Sequence, residues 1–229
     1  VVSRCGAKLP RLDIASGQEE VAAEVGSLAP DSAVFAADRV VVGTDQGRVV
    51  CFSADGQKQL WEYTQVGAKE MVYAPAAIAD GIVVVGARDR AVHAIDLQTG
   101  ERKWIFKTRG DVDAPAMISG GRVYVCSKDK KLYVLDLATG NKLWEFATNR
   151  AIDAGLAIAE GALVMADSGG NVFCLDTKLD APTLHPAPSQ PLPTTTPVVN
   201  QPTTPASSPP TASRWRLLLL LGAVLAAAL

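Results

Sequence analysis

Residues 131–146 read KLYVLDLATGNKLWEF, and residues 91–106 read AVHAIDLQTGERKWIF, the same pattern forty positions earlier. Aligned on the core of hydrophobic residue, Asp, three residues and Gly, the pattern recurs as RLDIASGQEEV from Arg11. Looser copies are VVCFSADGQKQLW from Val49 and NVFCLDTKLD from Asn171. The anchor positions are Asp13, Ser53, Asp96, Asp136 and Asp176, stepping by 40, 43, 40 and 40 residues, the long step being matched by extra residues in TQVGAKEMVYAP. A fixed period of this size marks stacked supersecondary units rather than one irregular domain.

Each unit divides into short strands. GIVVVGA and GRVYVCS are β-branched runs, followed by polar turns such as ARDRA, SKDKK and DSGGN. Next come AVHAID or KLYVLD, a turn at LQTG or LATG, and a strand carrying Trp104 or Trp144. A small-residue strand closes the unit: APAAIA, APAMIS, AGLAIA or SAVFAA. Four strands per repeat of about 40 residues, with no helical period, predict an all-β fold: a β-propeller of four-stranded antiparallel blades. In KLYVLD, Leu132 and Val134 face one side of the sheet and Tyr133 and Leu135 the other. Both sides are apolar, as a blade sandwiched between two neighbours requires. Asp136 and Thr139 are suited to bond turn backbone, and Gly140 permits positive φ. Trp61, Trp104 and Trp144 recur at one position and are read as blade-docking residues, not as a cofactor stack.

The segments YVLDLATGNKLW and HAIDLQTGERKW, preceded by DAPAMISGGRVYV, resemble the repeat of the PQQ-like (quinoprotein-like) β-propeller family, over roughly residues 1–180. That family holds PQQ-dependent alcohol dehydrogenases, the propeller lipoprotein of the outer-membrane β-barrel assembly machinery and cofactor-free scaffolds. The resemblance implies the fold and leaves activity open. PQQ-dependent enzymes commonly use adjacent Cys residues, a calcium site of Glu, Asn and Asp, and a catalytic Asp. This chain has no Cys-Cys pair and no matching cluster. No catalytic, cofactor-binding or metal residue is therefore assigned and no cofactor is expected, which points to the non-enzymatic branch.

Three domains are expected. Residues 1–180 form three whole and two partial blades, a partial ring. Rings of the family typically have seven or eight blades, so the chain reads as a fragment; an arc closed by a second chain is the alternative. Residues 181–213 hold 10 of the 14 prolines with much Thr and Ser, which predicts a disordered, extended stalk. Residues 214–229, RWRLLLLLGAVLAAAL, form a short hydrophobic helix of about 20 Å, below the roughly 30 Å of a bilayer core. Following a stalk and flanked by Arg214, Trp215 and Arg216, this segment reads as a truncated transmembrane anchor, with packing on a further domain as the alternative. The two Arg alone favour a cytoplasmic stalk; stalk composition and the resemblance favour an extracytoplasmic propeller, periplasmic or at a bacterial cell surface.

A net charge of −2 and the lack of a basic stripe give nucleic-acid binding no electrostatic footing. Cys51, Cys126 and Cys174 fall in slots held elsewhere by Ala, Val or Gly and, with Cys5, are read as small buried hydrophobes. His93 and His185 have no partner His for a metal. One constellation repeats: Asp31, Asp113 and Asp153, with Tyr73 at the equivalent place, precede the small-residue strand of successive units. Repeat symmetry sets them around one mouth of the central channel. Two readings stand: they bond loop amides, or they form an acidic rim for a cation or a basic partner segment. The expected function is a non-catalytic, membrane-tethered scaffold for other proteins. A quinoprotein oxidoreductase fragment and an extracytoplasmic ligand sensor are the alternatives.

Overall fold

The computed structural model describes residues 7–30, 32–67, 70–159 and 161–176. The chain divides into two units, Val1–Ala187 and Pro188–Leu229; the described residues all belong to the first. The expected stalk and hydrophobic helix, with Cys5, Asp31 and His185, lie outside them. Among the described residues no helix is long and apolar enough to cross a membrane.

The described strands form five antiparallel sheets in chain order. The first pairs β1 (Lys8–Leu12) with β2 (Glu19–Glu24). The second has β3 (Val34–Ala36), β4 (Arg39–Gly43), β5 (Val49–Ser53) and β6 (Gln59–Tyr63). The third has β7 (Ala77–Ala79), β8 (Ile82–Ala87), β9 (Ala91–Asp96) and β10 (Arg102–Lys107). The fourth has β11 (Met117–Ser119), β12 (Arg122–Ser127), β13 (Lys131–Asp136) and β14 (Lys142–Ala147). The fifth has β15 (Ala157–Ala159), β16 (Ala162–Ala166) and β17 (Val172–Asp176). The order within each is a simple meander, and the short leading strands β3, β7 and β11 lie side by side. This is the architecture of propeller blades around an axis.

Each blade buries both faces. In β13, Leu132 and Val134 pack toward the fifth sheet with Leu163 and Met165, while Tyr133 and Leu135 pack toward the third with Val84 and Trp104. Similar cores join the first sheet to the second and the second to the third. The leading strands are shorter than the six-residue runs expected from sequence. Pairing begins at Ala77, Met117 and Ala157 alike, so Pro75 and Pro115, which have no N–H for the ladder, sit just outside it, as Gly155 does in the fifth sheet. Cys51 and Cys126 are buried as expected, and burial pushes the Cys126 thiol up to about 12. Cys174 is instead exposed: the face of β17 that carries it, with Val172, meets no described strand.

The Trp positions explain the sheet spacing. In all three whole blades the register slips just before the Trp, so that Leu60, Lys103 and Leu143 are bulged out of the ladder. A bulge re-aims the residue that follows. Trp61 thereby donates its indole N–H to the Leu97 carbonyl of the next blade at 2.9 Å, and Trp104 does the same to Leu137 at 2.9 Å. Each ring lies on a turn glycine of that next blade. A Cβ at Gly100 would meet Trp61 at 2.7 Å, and one at Gly140 would meet Trp104 at 2.6 Å. Those glycines sit at φ 75 and 73, held by the Asp and Thr of the same turn; Thr139 donates its N–H to Asp136 at 2.8 Å. Trp144 is only partly buried and stacks on Phe146.

Gly17 occupies the corresponding turn of the first sheet at φ 70, and a Cβ added there would have nothing within 4 Å. Gly17→Ala is therefore expected to cost about 1 kcal/mol, the left-handed backbone alone. Gly140→Ala adds overlap with an indole and is expected to cost about 2–4 kcal/mol. Urea denaturation of the two variants measures the difference; equal losses would refute the ring-on-glycine contact.

Candidate functional site

Because the strands alternate in direction, two kinds of connection share each end of the blades. The second-to-third-strand turns (44–48, 88–90, 128–130, 167–171) lie at the same end as the blade-to-blade loops (64–76, 108–116, 148–156). The backbone here is knitted by a repeated bond. The N–H groups of Asp45, Arg88, Lys128 and Ser168 donate to the carbonyls of Leu28, Met71, Asp111 and Ala151 at 2.9, 3.0, 2.9 and 2.9 Å. Each loop is also pinned by an apolar side chain: Val72, Val112 and Ile152 are almost fully buried. Gly43 and Gly86 are required where Val72 and Val112 press against the strand, since a Cβ there would fall 2.5 and 2.3 Å from them.

Tyr73, Asp113 and Asp153 each follow one of these apolar pins and so come to equivalent places. Asp113 does not bond loop amides. Its carboxylate takes a two-point contact from Arg88, Nε to Oδ1 at 3.0 Å and Nη2 to Oδ2 at 3.1 Å. Lys128 Nζ approaches Oδ2 at 2.6 Å and also Asp111 at 3.7 Å. Arg88 belongs to the third blade and Lys128 to the fourth, so Asp113 bridges a blade junction. Burial alone would raise its pKa, but the Arg88 and Lys128 cations override this and hold the carboxyl below its ordinary value. The Arg88 guanidinium also lies 4.9 Å from the Tyr73 ring centroid, a cation–π geometry. Asp153 is exposed and makes no ion pair with a described residue. The rim is thus not a plain acidic ring: at the junction of the third and fourth blades it alternates carboxylate and cation.

Sequence reasoning placed the Asp positions but not the cations opposite them. The missed signal was the equivalence of Asp45, Arg88, Lys128 and Ser168, one position per repeat with four different side chains.

A second polar group was also missed. His93, fully buried in β9, meets the Tyr63 hydroxyl of the preceding blade at Nδ1, at 2.9 Å. Its Nε2 lies 3.1 Å from Asp89 Oδ2, which Lys107 also approaches at 3.4 Å. Burial pushes the Tyr63 hydroxyl up to about 12, so it keeps its proton at neutral pH. Burial opposes ionisation of Asp89, but His93 and Lys107 outweigh it and hold its carboxyl below its usual range. The equivalent contacts at the next two junctions are aromatic, Phe106 with Tyr133 and Phe146 with Phe173, both edge-on. The polar set therefore substitutes for an aromatic pair at one seam. Among the described residues no group of three or more His, Cys, Asp or Glu is arranged to hold a metal.

A family described as outer membrane protein assembly factor BamB matches this chain in three overlapping segments, residues 4–145, 64–181 and 128–201. The outer membrane protein assembly factor BamB of Burkholderia pseudomallei (strain K96243) is 30% identical over 108 residues, 47% of this chain and 27% of that protein. The crystal structure of BamB from Moraxella catarrhalis superposes with TM-score 0.65 at 23% identity, over 77% of this chain and 53% of that one. A europium-containing methanol dehydrogenase superposes with TM-score 0.54 at 14% identity, over 63% of this chain and 39% of that one. These two superpositions are likenesses of fold alone. The chain spans about half or less of the length of these relatives.

Two outcomes follow from the geometry. Asp113→Asn leaves Arg88 and Lys128 facing an uncharged amide and is expected to lower stability by about 1–2 kcal/mol near pH 7. Because the folded-state pKa of Asp113 is depressed, its contribution is present above about pH 4, the unfolded value, and disappears as pH falls through the folded value. Wild-type and variant denaturation curves should therefore converge as pH falls below about 4; a gap constant with pH would contradict the ion bridge. At the polar seam, Tyr63→Phe and His93→Phe each strand a buried partner and are each expected to cost about 1–3 kcal/mol. The double variant recreates the aromatic pairing of the later junctions and should cost less than the sum by at least about 1 kcal/mol. Strict additivity in the four-variant cycle would rule out the coupling.

Proposed function

This chain belongs to the PQQ-like repeat propeller family described as outer membrane protein assembly factor BamB, and from that membership we propose that it is a non-catalytic docking platform for other proteins in an extracytoplasmic assembly. The observation that carries the reading is the repeated junction at one end of the blades. There, the main chain at Asp45, Arg88, Lys128 and Ser168 is fixed by an identical hydrogen bond while the side chain changes from acid to base to hydroxyl. Backbone order with side-chain freedom is what a recognition surface needs: the groups are held in place, so little entropy is lost when a partner binds. The polar alternation around Asp113 suits the contact with a protein surface better than a closed chamber for a small substrate.

In this reading no cofactor is involved, and Tyr73, Arg88, Asp113, Lys128 and Asp153 are surface groups of the docking end. In the same reading the propeller works outside the cytoplasm, which fits relatives described as assembly factors for outer membrane proteins. Residues 214–229 are proposed to help hold it to a membrane.

Photo-crosslinking residues introduced at positions 46, 129 and 149, at the junction end, test this in the native cell. Positions 57, 98 and 138, at the opposite end, serve as the comparison. Discrete protein adducts are expected from the first set. Adducts from the opposite end alone, or from neither, would overturn the assignment.

A further inference from the structure

Four cations at the junction end are left unspent. Arg90, Arg109, Lys130 and Arg150 are exposed, and none forms an ion pair with a described carboxylate. They lie in a row along the third and fourth blades, because the segments that carry them are bonded in series. Thr108 N–H donates to the Arg90 carbonyl at 2.9 Å, Arg109 N–H to Asp129 at 2.9 Å, and Thr148 N–H to the Lys130 carbonyl at 2.8 Å. The Thr148 hydroxyl then donates to the Arg150 carbonyl at 2.6 Å.

The acids of these loops are mostly committed elsewhere. Asp89 serves His93 and Lys107, and Asp129 takes the Tyr133 hydroxyl at 2.7 Å. Asp111 and Asp113 are matched by Lys128 and Arg88. Asp167 accepts from Asn171 and from turn amides, with Arg150 near enough to lower its pKa further. Asp153 and Glu70 are the exposed acids that remain.

The backbone supplies a second, independent observation. Arg90 and Lys130 stand at φ 60 and 72. At the equivalent turns of the second and fifth sheets the chain uses Gly47 and Gly170, at φ 71 and 82. A left-handed backbone is free for glycine and strained for a residue with a Cβ. The backbone conformation therefore favours glycine at all four turns, and at two of them the chain carries a long cation instead. Strain kept at an exposed position points to use rather than to stability.

We propose that this row, Arg90, Arg109, Lys130 and Arg150, binds an extended acidic segment of a partner protein. The proposal rests on the docking role assigned to this end and names the chemistry of the partner. An extended chain can follow the row and bypass Asp153 and Glu70. An anionic bilayer laid flat on the same end would press both carboxylates against its headgroups. Point-by-point charge matching on ordered loops sets register and encounter rate.

The test uses the full chain and a fluorescent synthetic peptide of alternating glutamate and serine, with phosphatidylglycerol vesicles alongside. Wild-type protein is expected to bind the peptide, with affinity falling about tenfold between roughly 50 and 300 mM NaCl. The variant Arg90→Gly with Lys130→Gly, which copies the glycines of the other turns, is expected to melt at a higher temperature while losing peptide affinity about tenfold. Lys58→Glu with Arg122→Glu, at the opposite end, should change affinity by less than about twofold. The proposal is overturned by unchanged peptide affinity in the glycine variant, by equal losses in the control, or by binding to vesicles without binding to peptide. Crosslinking from position 149 separates the two levels. Adducts that form and persist unchanged in the glycine variant sink the acidic-segment proposal alone, whereas their absence from wild type sinks the docking role beneath it.

Discussion

From the second to the fourth blade the joint is an indole laid on a glycine, with its N–H tied to the neighbouring carbonyl. The spacing of those three blades depends on that contact. A single blade cannot exist alone, since both of its faces are apolar and would stand in water. The joint supplies a fixed partner at a fixed distance. The bulge before each Trp turns the ring out of its own sheet, the positive-φ glycine removes the Cβ that would block it, and the Asp–Thr pair holds that glycine in place. Three local features on two different blades meet in one contact, so a change in any of them displaces the next sheet as a rigid body.

Between the joints, the seams tolerate different chemistry as long as volume and polarity are satisfied. The same slot holds Phe106 against Tyr133, Phe146 against Phe173, and Tyr63 against His93. The histidine version is admissible because both ring nitrogens have a partner, the Tyr63 hydroxyl on one side and Asp89 on the other. A buried imidazole lacking either would suffer the full loss of hydration. Tyr133 solves the same problem more simply, passing its one hydroxyl to Asp129, the counterpart of Asp89.

What could be read from the sequence follows from this division. The period, the four strands per unit, the Trp positions and the turn glycines are local patterns that recur, and recurrence separates them from chance. Leu132, Val134, Tyr133 and Leu135 declare a two-faced core by alternation alone. The bulges at Leu60, Lys103 and Leu143 are hidden, because one extra residue in a strand leaves no mark without its partner strand. The Arg88–Asp113–Lys128 bridge is hidden for a related reason. Its three members belong to two repeats and differ from their equivalents, so the repeat that reveals the core averages them away. Cys174 shows the converse error: its slot is buried in the middle blades only because another blade covers it.

The two ends of the blades are therefore unequal, and the inequality is a matter of where the joint places its atoms. At one end lie the Asp–Thr–Gly turns and the positive-φ hairpins at Asp80–Gly81 and Gly120–Gly121, tied together by Leu97 N–H to Gly81 and Leu137 N–H to Gly121 at 2.9 Å each. The carbonyls of Leu97 and Leu137 carry the indole bonds. A substitution at that end is felt by the next blade. At the other end the order comes from main-chain bonds and from apolar pins that point inward, Val72, Val112 and Ile152. Side chains there take no part in the indole contact, although Arg88, Asp113 and Lys128 still bridge one blade junction. A repeat protein built this way can change its surface chemistry on one end only, so Asp, Arg, Lys and Ser could come to occupy one position in four successive blades while the blade spacing stayed the same.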